Sequence, residues 1–357
     1  MRSSRNKLKK VNKILIFLLF PVFVFSQNIK GKVTNSNNEP IVGASVYLDG
    51  TTIGTASDVN GLFEIASSNK YNTLLIVRFL GYEDIIVSNP YEKDFYTFIL
   101  VPKTNEIETV VIVKDGFTRK QKLQLFREQF LGTTKYGKAC KIKNEDAIDF
   151  NYDLDRFIFT ATSSEPIKVE NPLLGYNVDF DLHEFYVKFN FKTIKSIHVI
   201  QSMYLGTAKY SDISSDEKII KNRNDVYFGS SPHFFKNIID NSWSSKNFIL
   251  FEGKYSVNAN DFFKLIKSED LYEITVSPTI KPELNLGSIK SDGFYADFNL
   301  LYNKKRQSRV IFKTKTFFID NFGNTTHRDQ IIFGGDIGQQ KVGNILPLNF
   351  ETEIVKK

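Results

Sequence analysis

Four histidines, one cysteine and one alternating run of acids are the side chains of this chain that could carry chemistry. A zinc peptidase needs His-x-x-Glu, or His-Glu-x-x-His, plus a distant ligand, so that three protein ligands leave one coordination position for water. His183, His198, His233 and His327 are followed three residues later by Tyr186, Gln201, Lys236 and Gln330, so neither spacing occurs. Gly-x-Ser-x-Gly, the strained turn that exposes a nucleophilic serine, is also absent. Cys140 has no second cysteine to pair with, and no neighbour marks it as activated; it reads as a buried or tolerated thiol. Asp179, Asp181 and His183 share one strand face and could hold a metal, but a solvated face of alternating polar residues explains them equally well. Carboxylates are plentiful, yet one sequence does not show which of them meet in space, so a glycosidase stays open. No catalytic residue, metal or cofactor is assigned.

The elements that would position any site begin with an export signal. Arg2, Arg5, Lys7, Lys9, Lys10 and Lys13 form a basic start without an acid, Ile14 to Phe25 is apolar, and Val24-Phe25-Ser26 fits a cleavage site before Gln27. The apolar run is too short to span a membrane, which takes about 20 residues. No cysteine near the cleavage point offers a lipid anchor, and no transmembrane span is expected after cleavage. The chain carries 47 basic and 40 acidic residues, for a net charge of +7. The segment 1–26 holds six of those basic residues, leaving 41 against 40. The basicity therefore belongs to targeting and gives no support for nucleic-acid binding.

After the signal, Ile29–Val33, Ile41–Leu48, Thr51–Ala56, Leu62–Ala66, Leu74–Phe79, Asp84–Val87, Phe95–Val101 and Glu108–Val113 read as short strands. Asp49-Gly50 and Asn60-Gly61 are turn signals between them, because glycine takes positive φ without steric cost. Regular spacing of such strands indicates an all-β sandwich. Asp58-Val59-Asn60-Gly61 is read as a turn and not as part of a calcium loop, since the later bidentate Glu of such a loop is missing.

Gly31-x-Val33, Glu39-Pro40-Ile41-x-Gly43-Ala44-x-Val46, Gly54-Thr55-x-Ser57-Asp58-x-Asn60-Gly61-x-Phe63 and Gly81-Tyr82-Glu83 resemble the carboxypeptidase-regulatory-like domain. The resemblance implies a transthyretin-like, immunoglobulin-like sandwich in a Bacteroidetes-type envelope protein. It implies no activity for the module itself.

From Thr118 to Leu131 the period becomes helical, with Leu123, Phe126 and Phe130 on one stripe and Gly132 as a stop. Beyond Cys140 strand patterning returns over Asp149–Thr162, Tyr176–Phe191, Ile197–Leu205, Phe248–Val257, Leu271–Val276, Phe294–Tyr302 and Arg309–Ile319. Apolar residues sit at even positions from Tyr176 to Leu182 and at odd positions from Phe185 to Phe189, which predicts a bulge near His183-Glu184. Irregular strand lengths and the ending Ile354-Val355-Lys356-Lys357 disfavour a membrane barrel. Ser230-Ser231-Pro232 opens a helix with Ser230 as N-cap and Pro at its first position, burying Phe235, Ile238, Ile239 and Trp243. His233 falls in its first turn, where the positive end of the dipole disfavours protonation. Core or capping duty is expected there, although a neutral His could hydrogen-bond a ligand. Lys304-Lys305-Arg306 reads as a charged hairpin tip.

Phe130-Leu131-Gly132-Thr133, Asn171-x-x-Leu174-Gly175-Tyr176, Tyr227-x-Gly229-Ser230-x-x-His233-Phe234 and Leu346-Pro347-Leu348-Asn349-Phe350 resemble exported Bacteroidetes proteins that pair such a module with this C-terminal region. That group brings no established activity. Tyr176, Tyr227, Ser230 and His233 are the residues on which a binding site here would draw. The fold expected is mainly β: a signal peptide over 1–26, a sandwich over 27–113, a helical connector over 114–138 and a β-rich domain with one or two helices over 139–357. The function expected is a non-enzymatic envelope interaction protein in the periplasm or at the outer membrane, binding a protein, peptide or glycan. A hydrolase with its site in the C-terminal domain and a structural envelope component are the alternatives.

Overall fold

The computed structural model describes residues 27–103, 115–279, 295–325 and 327–352. The export segment, the strand expected over Glu108–Val113 and the ending Ile354–Lys357 lie outside the described residues. The chain is mainly β, and its strands form open sheets over three separate cores.

The first core belongs to β1 (Gln27–Asn35), β2 (Ser45–Leu48), β3 (Gly54–Ala56), β4 (Leu62–Ser67), β5 (Leu75–Arg78), β6 (Ile85–Val87) and β7 (Phe95–Leu100). They form two sheets, in the orders β4-β1-β7 and β3-β2-β5-β6. Strict alternation in β4 and β7 sends Phe63, Ile65, Tyr96, Phe98 and Leu100 inward, onto Val33, Val46 and Val77. Asp58 forms the predicted turn, its Oδ1 accepting from the backbone N–H groups of Asn60 and Leu62 at 2.9 and 2.8 Å. The strand expected from Thr51 starts only at Gly54. Thr51 is turned aside: its N–H and hydroxyl both bond the Leu48 carbonyl.

The second core lies under a six-stranded sheet of β8 (Lys141–Ile142), β9 (Ile148–Asp153), β10 (Ile158–Ser163), β11 (Ile167–Asn171), β12 (Tyr176–Lys188) and β13 (Gln201–Asp212). The run read as one strand over 149–162 is the hairpin β9–β10, turned at Phe157 with φ +55°. The strand expected over 197–205 is β13, displaced to 201–212 because Ser196–His198 forms a 3-10 turn. In β12–β13 the pairing steps from Leu182↔Gly206 to Glu184↔Leu205, which leaves His183 as the extra residue of the predicted bulge. Helix α1 (Arg119–Phe130) starts with a capping box between Thr118 and Gln121. It buries Leu125, Phe126 and Phe130, while the expected stripe residue Leu123 is only half-buried, so the inward face is rotated from the one predicted. Phe126 meets Phe185 at 4.8 Å and Phe130 meets Phe180 at 5.0 Å between ring centroids. A short helix α2 (Lys135–Ala139) follows, with Gly132 at φ +91° ending α1.

Helices α3 (Glu217–Tyr227) and α4 (Ser231–Ile239) lead to the third core. It lies between β15-β14-β18-β19-β21 and β16-β17-β20, where β14 is Phe248–Glu252, β15 Tyr255–Ser256, β16 Phe263–Ser268, β17 Leu271–Val276, β18 Ala296–Tyr302, β19 Arg306–Phe312, β20 Thr316–Asp320 and β21 Ile331–Gly334. Helix α5 (Gly335–Gly338) closes that edge. The run read as one strand over 309–319 bends between β19 and β20, so Phe312 and Phe317 enter one core from different sheets. Likewise, the run over 248–257 is the hairpin β14–β15. Arg306 is not at the hairpin tip: its Nε bonds Asp336 Oδ2 at 2.6 Å and its Nη1 donates to the Phe228 carbonyl at 2.6 Å.

Hydrogen bonds and an ion pair join the sandwich to the second sheet and to the segment 345–350. The Asp49-Gly50-Thr51 turn lies along the outer edge of β13. Ala208 N–H donates to Asp49 Oδ1 at 2.7 Å, Gly50 N–H to the Ala208 carbonyl at 2.6 Å, and Tyr210 N–H to the Thr51 carbonyl at 2.9 Å. On its far side Leu348 N–H donates to the Gly50 carbonyl at 2.7 Å, and Asn349 Nδ2 to Thr52 Oγ1 at 2.8 Å. Arg78 pairs with Asp84 in its own sandwich and with Asp181 on β12, each at 2.5 Å. Among the described residues, no helix is long and apolar enough to cross a membrane.

Candidate functional site

A cavity of about 430 Å³ opens where α3, α4, the loop after β20 and the segment 345–350 converge. Each wall is positioned by local chemistry. Ser230 caps α4 by accepting the His233 N–H at 3.3 Å, with Pro232 in the first turn, second after the cap and not first as expected. Gly229 permits the tight link between α3 and α4, at φ +85°. A Cβ there would stand 2.6 Å from the Arg306 guanidinium and 2.7 Å from the Tyr302 ring. Opposite, fully buried Asp320 organises its loop by accepting from the N–H groups of Phe322 and Asn324 at 2.8 and 2.9 Å. It also accepts from Asn72 N–H, in the sandwich, at 3.0 Å. The Phe322 ring meets Tyr71 at 4.7 Å between centroids, tilted by 33°, which fixes the loop against the sandwich. Burial raises the Asp320 carboxyl above its ordinary value, against the lowering effect of those donors.

Tyr227 and Ser230 lie on the cavity wall. His233 stands behind it, among the rings of Tyr227, Phe228, Phe248 and Tyr302 at 5.2 to 5.6 Å. Its Nδ1 accepts the Gly229 N–H at 2.9 Å. Burial, and then the Arg306 charge, lower its pKa to about 4. At neutral pH it is an uncharged ring bonded to backbone at Nδ1. Tyr176 is not part of this wall: its ring lies 3.8 Å beneath Arg223, which bonds the carbonyls of Leu174, Gly175 and Ser214 and the Asp212 carboxylate. Tyr176 therefore helps hold α3 on the sheet.

The remaining lining went unassigned in the sequence. Phe235, Ile331, Ile337, Leu346 and Phe350 make most of it apolar, and Asn324, Arg328, Gln340 and Asn344 supply polar groups. A Gly/Asn-rich turn, Asn321 to Asn324, and the Leu346–Phe350 motif were the only cues. Burial pushes the Tyr227 hydroxyl up to about 12, so it offers a hydrogen bond and not a base. A second depression of about 630 Å³ lies beside α1 and α2 and includes Cys140, whose thiol burial pushes up to about 12. Asp181 of the alternating acid run meets both Arg78 and His183 Nε2, the latter at 3.0 Å. Among the described residues, no group of three metal-ligating side chains is found.

The family described as CarboxypepD_reg-like domain matches residues 29–112. A stretch of 114 residues is 31% identical to the TonB-dependent receptor SusC of Bacteroides thetaiotaomicron. That match covers 30% of this chain, which spans only 11% of the receptor's length. The seven described strands in two facing sheets are the sandwich expected of the matched region. Residues 29–112 of this chain are thus a CarboxypepD_reg-like domain.

Proposed function

We propose that this chain is an exported, envelope-associated binding protein without catalysis. In this reading 1–26 is a signal peptide, 27–113 the accessory sandwich, 114–138 the connector and 139–357 the domain that meets a protein, peptide or glycan partner. Tyr227 and Ser230 serve that contact directly, His233 supports the wall behind them, and Tyr176 supports α3. The composition of the cavity carries the proposal: an apolar wall with a few neutral or cationic polar groups and no nucleophile beside a free base. The Ser230 hydroxyl is the cap of α4 and His233 Nδ1 is held by Gly229, so the two do not form a nucleophile and its base. The likeness of part of the chain to an envelope receptor supports the location.

A photo-crosslinking residue at Ile345, on the cavity wall, is expected to capture one reproducible species in cells. The same residue at Ile266, exposed on β16, should not capture it. Equal capture at both positions would count against the cavity as the contact. Turnover of peptide, ester or glycoside substrates that is lost in Tyr227→Phe would replace the binding reading with the hydrolase.

A further inference from the structure

Asn324 is 4% exposed and lines the cavity. Its Nδ2 donates to Asp320 Oδ2 at 3.0 Å and to the Leu348 carbonyl at 2.8 Å. A carbonyl can only accept, so the amide orientation is determined and Oδ1 is the atom left over. That oxygen is buried with no hydrogen-bond partner among the described residues. Native proteins seldom leave such a group unpaired, and a donor brought by a ligand would satisfy it. Arg328 lines the same cavity. Its Nε donates to the Thr325 carbonyl at 3.3 Å, and among the described residues its guanidinium has no carboxylate partner within ion-pair distance. Its field does reach the buried Asp49 and Tyr204. A buried acceptor without a donor, an exposed cation that no carboxylate neutralises and an aliphatic and aromatic wall thus share one cavity.

We propose that the cavity takes the C-terminal residue of a peptide with an apolar side chain. The carboxylate meets Arg328, the N–H of the last residue donates to Asn324 Oδ1, and the side chain packs on Phe235, Ile331, Leu346 and Phe350. This rests on the cavity being the binding site, as proposed above, and narrows its ligand. A planar guanidinium matches a carboxylate in charge and geometry. About 430 Å³ accommodates one or two residues of a chain end.

Calorimetric titration of the purified chain with N-acetyl-Phe-Leu, its C-terminal amide and the analogue methylated on the leucine nitrogen tests this. The free acid should bind, and the amide and the N-methyl analogue should each bind about tenfold more weakly or worse. Arg328→Gln, at an exposed position, should melt like the parent and bind acid and amide alike. Ile345→Trp should block all three. Equal binding of acid and amide by the parent, still blocked by Ile345→Trp, would overturn the chain-end assignment and leave the cavity as the site. Binding untouched by Ile345→Trp would overturn both. Absence of binding by any probe would overturn the assignment, and capture at Ile345 would then decide the cavity by itself.

Discussion

At the scale of single residues, His233 and Asp320 are buried titratable groups whose shifts have opposite consequences. Burial, and then the Arg306 charge, hold His233 neutral in the folded state, with its Nδ1 lone pair receiving the Gly229 N–H. Its pKa is lowered to about 4. The stability linked to it is therefore complete above the ordinary histidine value, near 6.5, and is lost as pH falls toward 4. The full effect is about 3 kcal/mol. Thermal melts at pH 7.5 and 4.5 should show a larger acid-induced loss for the parent than for His233→Gln. For Asp320 the folded value is raised by burial, so its contribution is present at low pH and declines as pH rises through that folded value. Comparing parent and variant at each pH cancels such terms. Arg223 is 4% exposed and bonds three carbonyls and a carboxylate above Tyr176. Arg223→Ala should cost about 3 kcal/mol by leaving those acceptors unpaired, read as a lower urea midpoint.

At the scale of elements, the Asp49-Gly50 turn bonds both to β13 and to the segment 345–350. Gly50 has φ +71°, and a Cβ would meet Leu348 at 3.0 Å. Gly43 has φ +80° with nothing within 4 Å. Gly43→Ala should cost only the backbone strain of about 1–2 kcal/mol. Gly50→Ala should cost more and also speed hydrogen exchange at the Leu348 amide; equal effects would show that the docked turn adds nothing. Much of this level was legible from residue order. The parity change in β12 gave the bulge, the change of period at Thr118 gave α1, and Ser230 gave the cap of α4. Alternation reports faces and not corners, which is why two hairpins and the β19–β20 bend read as single strands. Phe157, an apolar residue at positive φ, carries no turn signature at all. Of the cavity, Tyr227 and Ser230 were legible as site residues, and Leu346–Phe350 only as a motif without a role. Asn324 acquires its role from Leu348 and Asp320, through contacts that no local pattern encodes, and Arg328 from its place on the same wall.

At the scale of the whole molecule, three cores are coupled through a few buried polar groups. Asp320 ties the third core to Asn72 of the sandwich, and the cavity loop hangs on the same carboxylate. Asp320→Ala should cost about 3 kcal/mol by stranding its donors. Scanning calorimetry should then resolve a separate, earlier transition for the sandwich; a uniform downward shift would mean that the cores unfold as one without that contact. The bond pair between Thr52 and Asn349 joins residues 297 positions apart. Contacts of such separation close late, because a long loop must be ordered before they are rewarded. The turn that follows β2 is made among the first residues of the sandwich, yet it waits for nearly all the described chain before its last partner arrives. Until then the cavity lacks the wall that segment 345–350 supplies, so its apolar lining is among the last surfaces to be taken from water as the chain folds.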